Sequence, residues 1–220
     1  MSKHHWPYHD HRVREHIPMP TKELLREQAR ANVRQSMLEA ARELVTAEGY
    51  SGLSMRRLAH SVGYTPKTLY LYFADKDDLL SELIEADMRR LVDHLECAAR
   101  DQADPARRLD AVALAYVAFG LDNPHAYEVI FMMRPHPLTR EALTLKQHVQ
   151  GRRLDKLLTR ILHESGRVSP RLDVAVAVQA LRCALHGVVA LRLVRPGRSW
   201  ISWETLVLHL VAGVVGEPSA

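Results

Sequence analysis

Lysine, threonine and tyrosine side chains are concentrated between positions 65 and 76. If this stretch forms a short helix with Leu69 and Phe73 pointing inward, Lys67 and Leu71 face outward. A lysine can donate to guanine O6 and N7, a hydroxyl can bond a base edge or a phosphate, and a leucine can touch a thymine methyl group. The spacing therefore predicts contacts to the major groove of a DNA duplex. The side chains expected to make them are Lys67, Thr68, Tyr70, Leu71, Tyr72 and Lys76.

The region around this stretch lacks acidic residues, as a surface that faces a polyanion requires. No Asp or Glu occurs from Gly49 to Ala74, although Arg56, Arg57 and Lys67 do. Arg57 has two interpretations, because it could contact a phosphate or have no role at DNA, either as a solvated helix residue or as the partner of a nearby acid. Aromatic residues are only 6% of the chain, which disfavours a stacking surface for single-stranded nucleic acid.

A tight turn between two short helices is indicated just before the outward-facing lysine. Ala59 is small enough for a second helix to cross close to the first, and Gly63 suits a turn that needs a positive φ. Thr65 can cap the second helix, with Pro66 at its first position. The free N–H groups of that helix N-terminus could face a phosphate. These signals predict a helix-turn-helix unit.

The apolar pattern along the rest of the chain is also helical. From Thr21 apolar residues recur every four positions, which predicts an amphipathic helix that Thr21 caps and Gly49 ends. Prolines mark the later breaks, and no segment alternates as a half-buried strand would. The fold class is expected to be all-α, with about nine helices. The expected helices span 21–49, 54–61, 65–72, 75–101, 105–121, 123–133, 138–166, 171–195 and 199–216.

The residues from Gly49 to Leu79 read GYSGLSMRRLAHSVGYTPKTLYLYFADKDDL. This stretch resembles the DNA-binding domain of the TetR family of bacterial transcriptional regulators, most specifically in TLYLYF at 68–73. The resemblance covers about residues 30–80, and Pro66-Lys67 and Leu71 depart from the commoner residues at their positions. It implies a regulator of transcription, usually a repressor, that a small ligand releases from a near-palindromic operator in double-stranded DNA. The positions that it implies in DNA contact are Ser54, Arg56, Thr65, Lys67, Thr68, Tyr70, Tyr72 and Lys76.

A ligand-binding helical bundle is expected after the DNA-binding domain. Segments 121–131 and 185–191 are similar to a C-terminal domain type named for a Trp-His-Gly pattern; His186 and Gly187 match it, whereas Arg182 stands where the Trp is expected. Aromatic and methionine side chains of the middle helices suit an apolar pocket, and the alternative is that they form ordinary core. His186 is likewise either a ligand contact or a hydrogen-bonded core residue. The pocket candidates are Tyr116, Phe119, Tyr127, Phe131, Met132 and His186.

The last two predicted helices are apolar over much of their surface. In a protein that resembles the TetR family, these helices pair with their twofold mates as a four-helix dimer interface. The two recognition helices of the homodimer would then lie about 34–36 Å apart. The residues expected at the interface are Val178, Leu181, Leu185, Val189, Leu206 and Leu210.

The chain is expected to divide into three parts. Residues 1–20 are polar and rich in histidine and proline, which indicates a flexible arm rather than a metal site. Residues 21–80 would form the DNA-binding domain, and 81–220 the ligand-binding and dimerisation domain. Cys97 and Cys183 lack metal-ligand spacing and are expected to be small buried hydrophobic residues of a reduced protein.

Other classes of protein are disfavoured. The opening residues lack the apolar core of a signal peptide, and charged residues interrupt the longest apolar stretch, so we expect a cytoplasmic protein with no membrane partner. No phosphate-binding loop, nucleophile elbow or His-Glu-x-x-His occurs, so no catalytic residue, metal or cofactor is expected. A helical adaptor protein without a ligand remains an alternative at this point.

Overall fold

The computed structural model describes residues 21–132, 140–168 and 172–215, with side chains except at Tyr50 and at 140–148. The expected arm at 1–20 lies outside the described residues. The described part is all-α, with nine α-helices and a π-helical turn and with no strand. The helices are α1 (Lys22–Gly52), α2 (Met55–Ser61), α3 (Pro66–Leu69), α4 (Lys76–Asp101), α5 (Pro105–Asp122), α6 (Pro124–Tyr127), α7 (Arg140–Ser165), α8 (Val174–Val194) and α9 (Trp203–Val215).

Local sequence signals account for the first helices. Thr21 caps α1, because the N–H of Leu24 donates to its side-chain oxygen at 3.2 Å. Gly49 breaks that helix with a φ of 70°, so the kink falls where the sequence predicts the helix to end. The apolar stripe of α1 is buried from Met37 onward. By density of contacts the chain divides after Gln35, and every site described below lies in the unit that begins at Ser36.

Helix α5 occupies the centre of the C-terminal part, because α4, α7, α8 and α9 all pack against it. Its close contact with α8 depends on Gly120, where a Cβ would lie 2.7 Å from Val189 Cγ1 and 2.9 Å from Tyr127 Cδ2. After α6 the chain forms the π-helical turn Glu128–Met132, which carries Phe131. The sequence predicted one continuous helix over 123–133, and the chain instead changes its hydrogen-bond pattern there.

A buried carboxylate connects α1 with α4. The Asp87 side chain is 3% exposed, and its Oδ1 accepts hydrogen bonds from Arg42 Nε at 2.8 Å and Arg90 Nη1 at 3.2 Å. Arg90 also donates through Nη2 to Asn123 Oδ1 at 3.4 Å, at the junction of α5 and α6. We call these four residues the Asp87 cluster. It joins α1, the helix before the helix-turn-helix unit, to the middle of the C-terminal bundle.

Helix α8 is long and apolar enough to satisfy a membrane-span criterion based on length and composition. A core helix of a soluble protein satisfies the same criterion. Arg182 and Arg192 lie within it, and Arg182 pairs with an acidic side chain of α7 at 2.7 Å.

Candidate functional site

The helix-turn-helix unit consists of α2, a tight turn and α3. Ser54 caps α2 by accepting from the N–H of Arg57 at 3.3 Å, and Thr65 caps α3 by accepting from the N–H of Thr68 at 3.2 Å. The two threonine hydroxyls lie 3.0 Å apart. Gly63 has a φ of 70°, as the turn prediction requires. Helix α3 is shorter than predicted, but i→i+3 and i→i+4 backbone bonds continue to Phe73.

Substituting Gly63 with alanine should destabilise the protein by about 1–2 kcal/mol, since a residue with a Cβ is disfavoured at positive φ. Nothing lies within 4 Å of the added Cβ, so the cost is conformational rather than steric. Gly151, in the middle of α7, also has open space around its Cβ position. Gly151→Ala should be neutral or stabilising by up to about 1 kcal/mol. Equal effects of the two substitutions in urea denaturation would contradict the backbone argument.

The outward face of α3 and the turn after it is exposed. Leu69 and Phe73 are fully buried, whereas Leu71 is 67% exposed and Tyr70 is 53% exposed. Lys67 is exposed, and Thr68 and Tyr72 are half-buried beside it. The inward and outward assignment made from the spacing is confirmed. These side chains lie on the surface that the sequence predicts to face DNA.

The positive groups near this face differ in their partners. Arg56 and Lys67 are both exposed. Arg57 instead binds both carboxylate oxygens of Glu48 and donates to the carbonyl of Gly52 at 3.1 Å. The ion pair lowers the pKa of Glu48 and raises that of Arg57. Of the two interpretations of Arg57, the structure supports the acid pair, which fastens the end of α1 to α2.

The remaining predicted contacts lie at the edge of this region. Lys76 begins α4 directly after its cap residue, Asp75, whose side chain accepts from the N–H of Asp78 at 2.8 Å. Partial burial lowers the pKa of Lys76. Ser54 and Thr65 already use their side-chain oxygens as caps, so their first role is to position α2 and α3. Their contact with DNA stays a prediction.

A cavity of about 620 Å³ lies between α5, the π-helical turn, α7 and α8. Six of its lining residues come from one face of α8, at the i, i+3, i+4, i+7, i+8 and i+11 positions that a helix places together. The lining residues are Tyr116, Phe131, Asp155, Thr159, Ala175, Val178, Gln179, Arg182, Cys183 and His186.

A hydrogen-bonded chain forms one wall of this cavity. The hydroxyls of Tyr116 and Tyr127 lie 3.2 Å apart, and the Tyr127 hydroxyl lies 2.8 Å from His186 Nδ1. Burial raises the pKa of both tyrosines and lowers that of His186, so all three groups are neutral near pH 7. Each tyrosine has one O–H proton and the neutral imidazole has one N–H proton. The two hydrogen bonds within the chain use two of these three protons. One end of the chain therefore offers a donor and the other an acceptor, and both ends line the cavity.

The six predicted pocket residues are only partly brought together. Tyr116, Phe131 and His186 line the cavity. Tyr127 is fully buried behind them, with its ring 4.8 Å from that of Phe131. Phe119 is in the core, 6.2 Å from the ring of His94. Met132 is 37% exposed and does not line the cavity.

Sequence reasoning missed the polar side of the cavity. Arg182 Nη1 donates to Asp155 Oδ1 at 2.7 Å, and both side chains are partly exposed. These residues are separated by 27 positions in the chain, so only the packing of α7 on α8 reveals the pair. The helical spacing of the lining residues on α8 was the available signal, and it would have included Arg182 and Gln179.

Substituting Gly120 with alanine should destabilise the protein by about 1–3 kcal/mol, because the new methyl group overpacks the contact of α5 with α8. Thermal or urea denaturation would measure the loss. The Gly120→Ala, Val189→Ala double variant should lose less than the sum of the single changes, because it removes the closest atom that the Cβ meets. Strict additivity would contradict the steric explanation.

Most of the predicted interface residues lie inside the single chain. Val178, Leu181, Leu185 and Val189 are at most 5% exposed, while Leu206 and Leu210 are half-buried. Val178 also lines the cavity. A side chain that is buried within one chain has little surface left to contact a second copy of the chain. A partner would therefore contact the opposite side of α8. That side, called the outer face below, comprises Val176, Ala180, Cys183, Leu191 and Val194, all of them exposed, and Cys183 at its border also lines the cavity.

The expectation that both cysteines are buried is wrong, because Cys97 and Cys183 are free and exposed. Both occupy the outward side of an amphipathic helix, and cysteine type alone does not reveal which side that is. Within the described ranges, no group of three or more His, Cys, Asp or Glu residues is arranged to hold a metal ion.

Two family profiles match the chain in order. The profile described as "Bacterial regulatory proteins, tetR family" matches residues 37–83, and the "Tetracyclin repressor-like, C-terminal domain" profile matches residues 109–202. The first match contains α2 and α3, and the second contains the whole cavity lining.

The chain is also similar to several known proteins. It is 26% identical to the uncharacterized HTH-type transcriptional regulator YobS of Bacillus subtilis, over 70% of this chain and 76% of that protein. It is 25% identical to the fatty acid metabolism regulator protein of B. subtilis, over 66% of this chain and 75% of the relative. The crystal structure of the B. subtilis regulator FadR in complex with stearoyl-CoA has the same fold, with a TM-score of 0.67, 21% identity and coverage of 83% of this chain and 98% of that chain.

The two profiles together cover well over half of the sequence, and the solved relatives share the fold observed here. The exposed α3 face and the turn that presents it lie within the first match. The chain therefore belongs to the TetR family of bacterial transcriptional regulators.

Proposed function

We propose that the protein is a homodimeric, cytoplasmic repressor that binds a near-palindromic operator and is released by a small, largely apolar ligand. The DNA-binding domain would span residues 21–80 and the ligand-binding and dimerisation domain residues 81–220. No catalytic step, metal or cofactor forms part of this proposal. The observation that carries it is the exposed face around α2 and α3 with Arg56 and Lys67, in the same chain as a cavity of about 620 Å³.

The DNA contacts proposed are those of the residues around α2 and α3. Lys67 and Arg56 would supply positive charge, and Thr68, Tyr70 and Tyr72 would supply hydroxyl groups beside it. Ser54, Thr65 and Lys76 would complete the contact at the helix N-termini, where backbone N–H groups also face a phosphate.

The ligand would occupy the cavity and favour a conformation that fits the operator poorly. A ligand shifts the operator equilibrium only by its difference in affinity between the two conformations. Helix α4 would transmit the change, because it starts beside the helix-turn-helix unit and packs against α5 and α7. The stearoyl-CoA in the B. subtilis FadR crystal structure supports the expectation that this fold accepts a ligand with a long apolar part.

Selection of binding sites from a random DNA pool tests the regulator proposal directly. We expect enrichment of a near-palindromic sequence, followed by binding that weakens steeply as salt is raised. The random pool makes the test independent of where the operator lies in a genome. Absence of any enriched sequence, together with equal affinity for all duplexes, would contradict the proposal and favour the helical adaptor.

The dimer would form through the outer face of α8 together with α9. Only 33% of the most apolar 18-residue window of α8 is buried in one chain, which leaves Val176, Leu191 and Val194 more than half exposed. Gly187 on α8 and Gly213 on α9 have open space around them, so a second copy could approach both helices closely.

The two exposed cysteines provide a test of this interface. Cys183 lies on the outer face of α8 and Cys97 lies on α4. In the dimer, N-ethylmaleimide should modify Cys183 at least about tenfold more slowly than Cys97, because the partner would cover the outer face beside the cavity that Cys183 also lines. Leu191→Glu should make the protein monomeric in sedimentation experiments and remove the difference. Fast modification of Cys183 in a protein that sediments as a dimer would exclude this interface.

A further inference from the structure

The polar lining of the cavity combines the N–H donors of Arg182 with Asp155, Thr159 and Gln179, which can accept. Arg182 has five N–H groups, and within the described residues it uses one of them, for Asp155. The chain of Tyr116, Tyr127 and His186 adds one further donor at one of its two ends. Arg182 therefore has further N–H groups that a bound ligand could use.

The shape of the cavity adds a second constraint. Its lining on α8 extends from Ala175 to His186, a distance of about 16 Å at the rise of an α-helix. Phe131, Tyr116 and Val178 supply apolar surface along this length. Arg182 is in the middle of the row, so a ligand can place an apolar part on the wall and an acidic group against the guanidinium.

Asp155 acts as the internal substitute for such a group. Its carboxylate accepts from Arg182 at 2.7 Å, in the geometry that a bound carboxylate would adopt. Both side chains are partly exposed, so neither is held in place by burial and the pair can open. A ligand carboxylate would compete with Asp155 for the N–H groups of Arg182. The negative charge of Asp155 would also repel it.

We propose that the effector is an organic acid, an elongated apolar molecule whose carboxylate binds Arg182 while its body lies along α8. This inference rests on the proposed function only in taking the cavity as the effector site. His186 and Tyr116 would bind the second carboxylate oxygen or a hydroxyl of the ligand, because the chain through Tyr127 can present either a donor or an acceptor.

Three probes with the same chain and different head groups test this proposal: decanoate, decanol and decylamine. Calorimetry on the purified full-length protein should give decanoate an affinity at least about tenfold higher than that of decanol, because a charge-assisted hydrogen bond replaces a neutral one. Decylamine should bind more weakly than decanoate. Equal affinity for the three probes, tightest binding of the amine, or no binding of decanoate would overturn the proposal.

Two variants give effects of opposite sign. Arg182→Gln should weaken decanoate binding by about tenfold or more. Asp155→Asn should strengthen decanoate binding and weaken decylamine binding, because it removes the internal competitor and the negative charge. A gain in affinity cannot result from misfolding, so this variant keeps the proposal testable even if Arg182→Gln is unstable. Weaker decanoate binding by Asp155→Asn would overturn the proposal.

A second ion pair on α7 supplies the matched control. Arg160 and Glu164 are partly exposed and 3.9 Å apart, Glu164 also pairs with Arg108 at 2.7 Å, and neither Arg160 nor Glu164 lines the cavity. Arg160→Gln and Glu164→Gln change the net charge as the test variants do, and they should leave the affinity for all three probes unchanged. Equal effects at this pair would mean that net charge, rather than contact in the cavity, sets the preference.

The DNA measurement separates the two proposals. If the protein selects an operator but does not bind decanoate, the ligand class is wrong and the regulator proposal stands. If decanoate binds through Arg182 but no operator is selected, the cavity assignment stands and the regulator proposal fails. If the protein both selects an operator and binds decanoate, adding decanoate should release the operator from the wild type, and from Asp155→Asn at a lower concentration.

Discussion

Replacing both Arg56 and Lys67 with alanine is expected to lower the affinity for the selected operator by about a hundredfold, corresponding to two charge-assisted contacts of about 1.5 kcal/mol each. Both side chains are exposed on the unit that contains α2 and α3. The change should also reduce the slope of log affinity against log salt by about two, since each phosphate contact releases about one counterion. Fluorescence anisotropy with labelled operator over a salt series would measure both quantities.

The matched control removes two positive charges elsewhere. Arg152 and Lys156 are exposed on α7, and their double alanine variant changes the net charge by the same amount. We expect its affinity for the operator to stay within about threefold of the wild type, because charges far from the DNA are screened. If both double variants lost affinity equally, net charge rather than the α3 face would explain the binding.

Replacing Arg42 with methionine is expected to lower the free energy of unfolding by about 2–3 kcal/mol. Loss of one partner from a buried ion pair costs more than this, but Arg90 still binds the carboxylate of Asp87. Chemical denaturation would measure the change. The Arg42→Met, Asp87→Leu double variant should recover most of the loss, because no buried charge is then left without its partner.

An exposed ion pair on the same helix provides the comparison. Arg89 and Glu85 lie 3.2 Å apart on α4, and the arginine is 54% exposed. Arg89→Met should change the free energy of unfolding by about 0.5 kcal/mol at most, because an exposed pair is solvated in the folded and unfolded states. A similar loss in Arg42→Met and Arg89→Met would contradict the importance of burial at Asp87.

The helix-turn-helix unit could be predicted in detail because its signals are local. The caps Ser54 and Thr65, the turn glycine Gly63 and the inward pair Leu69 and Phe73 each depend on a few neighbouring residues. The same holds for the all-α fold, where proline and capping residues mark most helix ends. Among the described residues, local rules gave the wrong form near 128–132, where a π-helical turn replaces an α-helix, and a longer α3 than the structure shows.

The cavity could be predicted only in part because it depends on how helices pack. Tyr116 and His186 were found from their chemical type, but Asp155 comes from a helix whose register against α8 is not encoded locally. The interface residues on α8 could not be assigned from sequence for a related reason: an apolar residue of α8 contacts either the interior of the chain or a partner, and residue type does not distinguish these. Leu181 belongs to the interior, and Leu191 remains outside.

The Asp87 cluster bears on how abruptly the protein can respond. Asn123 belongs to this cluster, and its backbone carbonyl accepts from the N–H of Tyr127 at 2.9 Å. Tyr127, which also bonds to His186, is therefore one hydrogen bond from the cluster. A buried carboxylate is stable with its cations in place and costly with one of them displaced. Intermediate positions of α1 relative to α4 are therefore disfavoured. Small movements of the pocket wall would leave the DNA-binding helices where they are, and larger movements would shift them in a single step, as in a switch with a threshold.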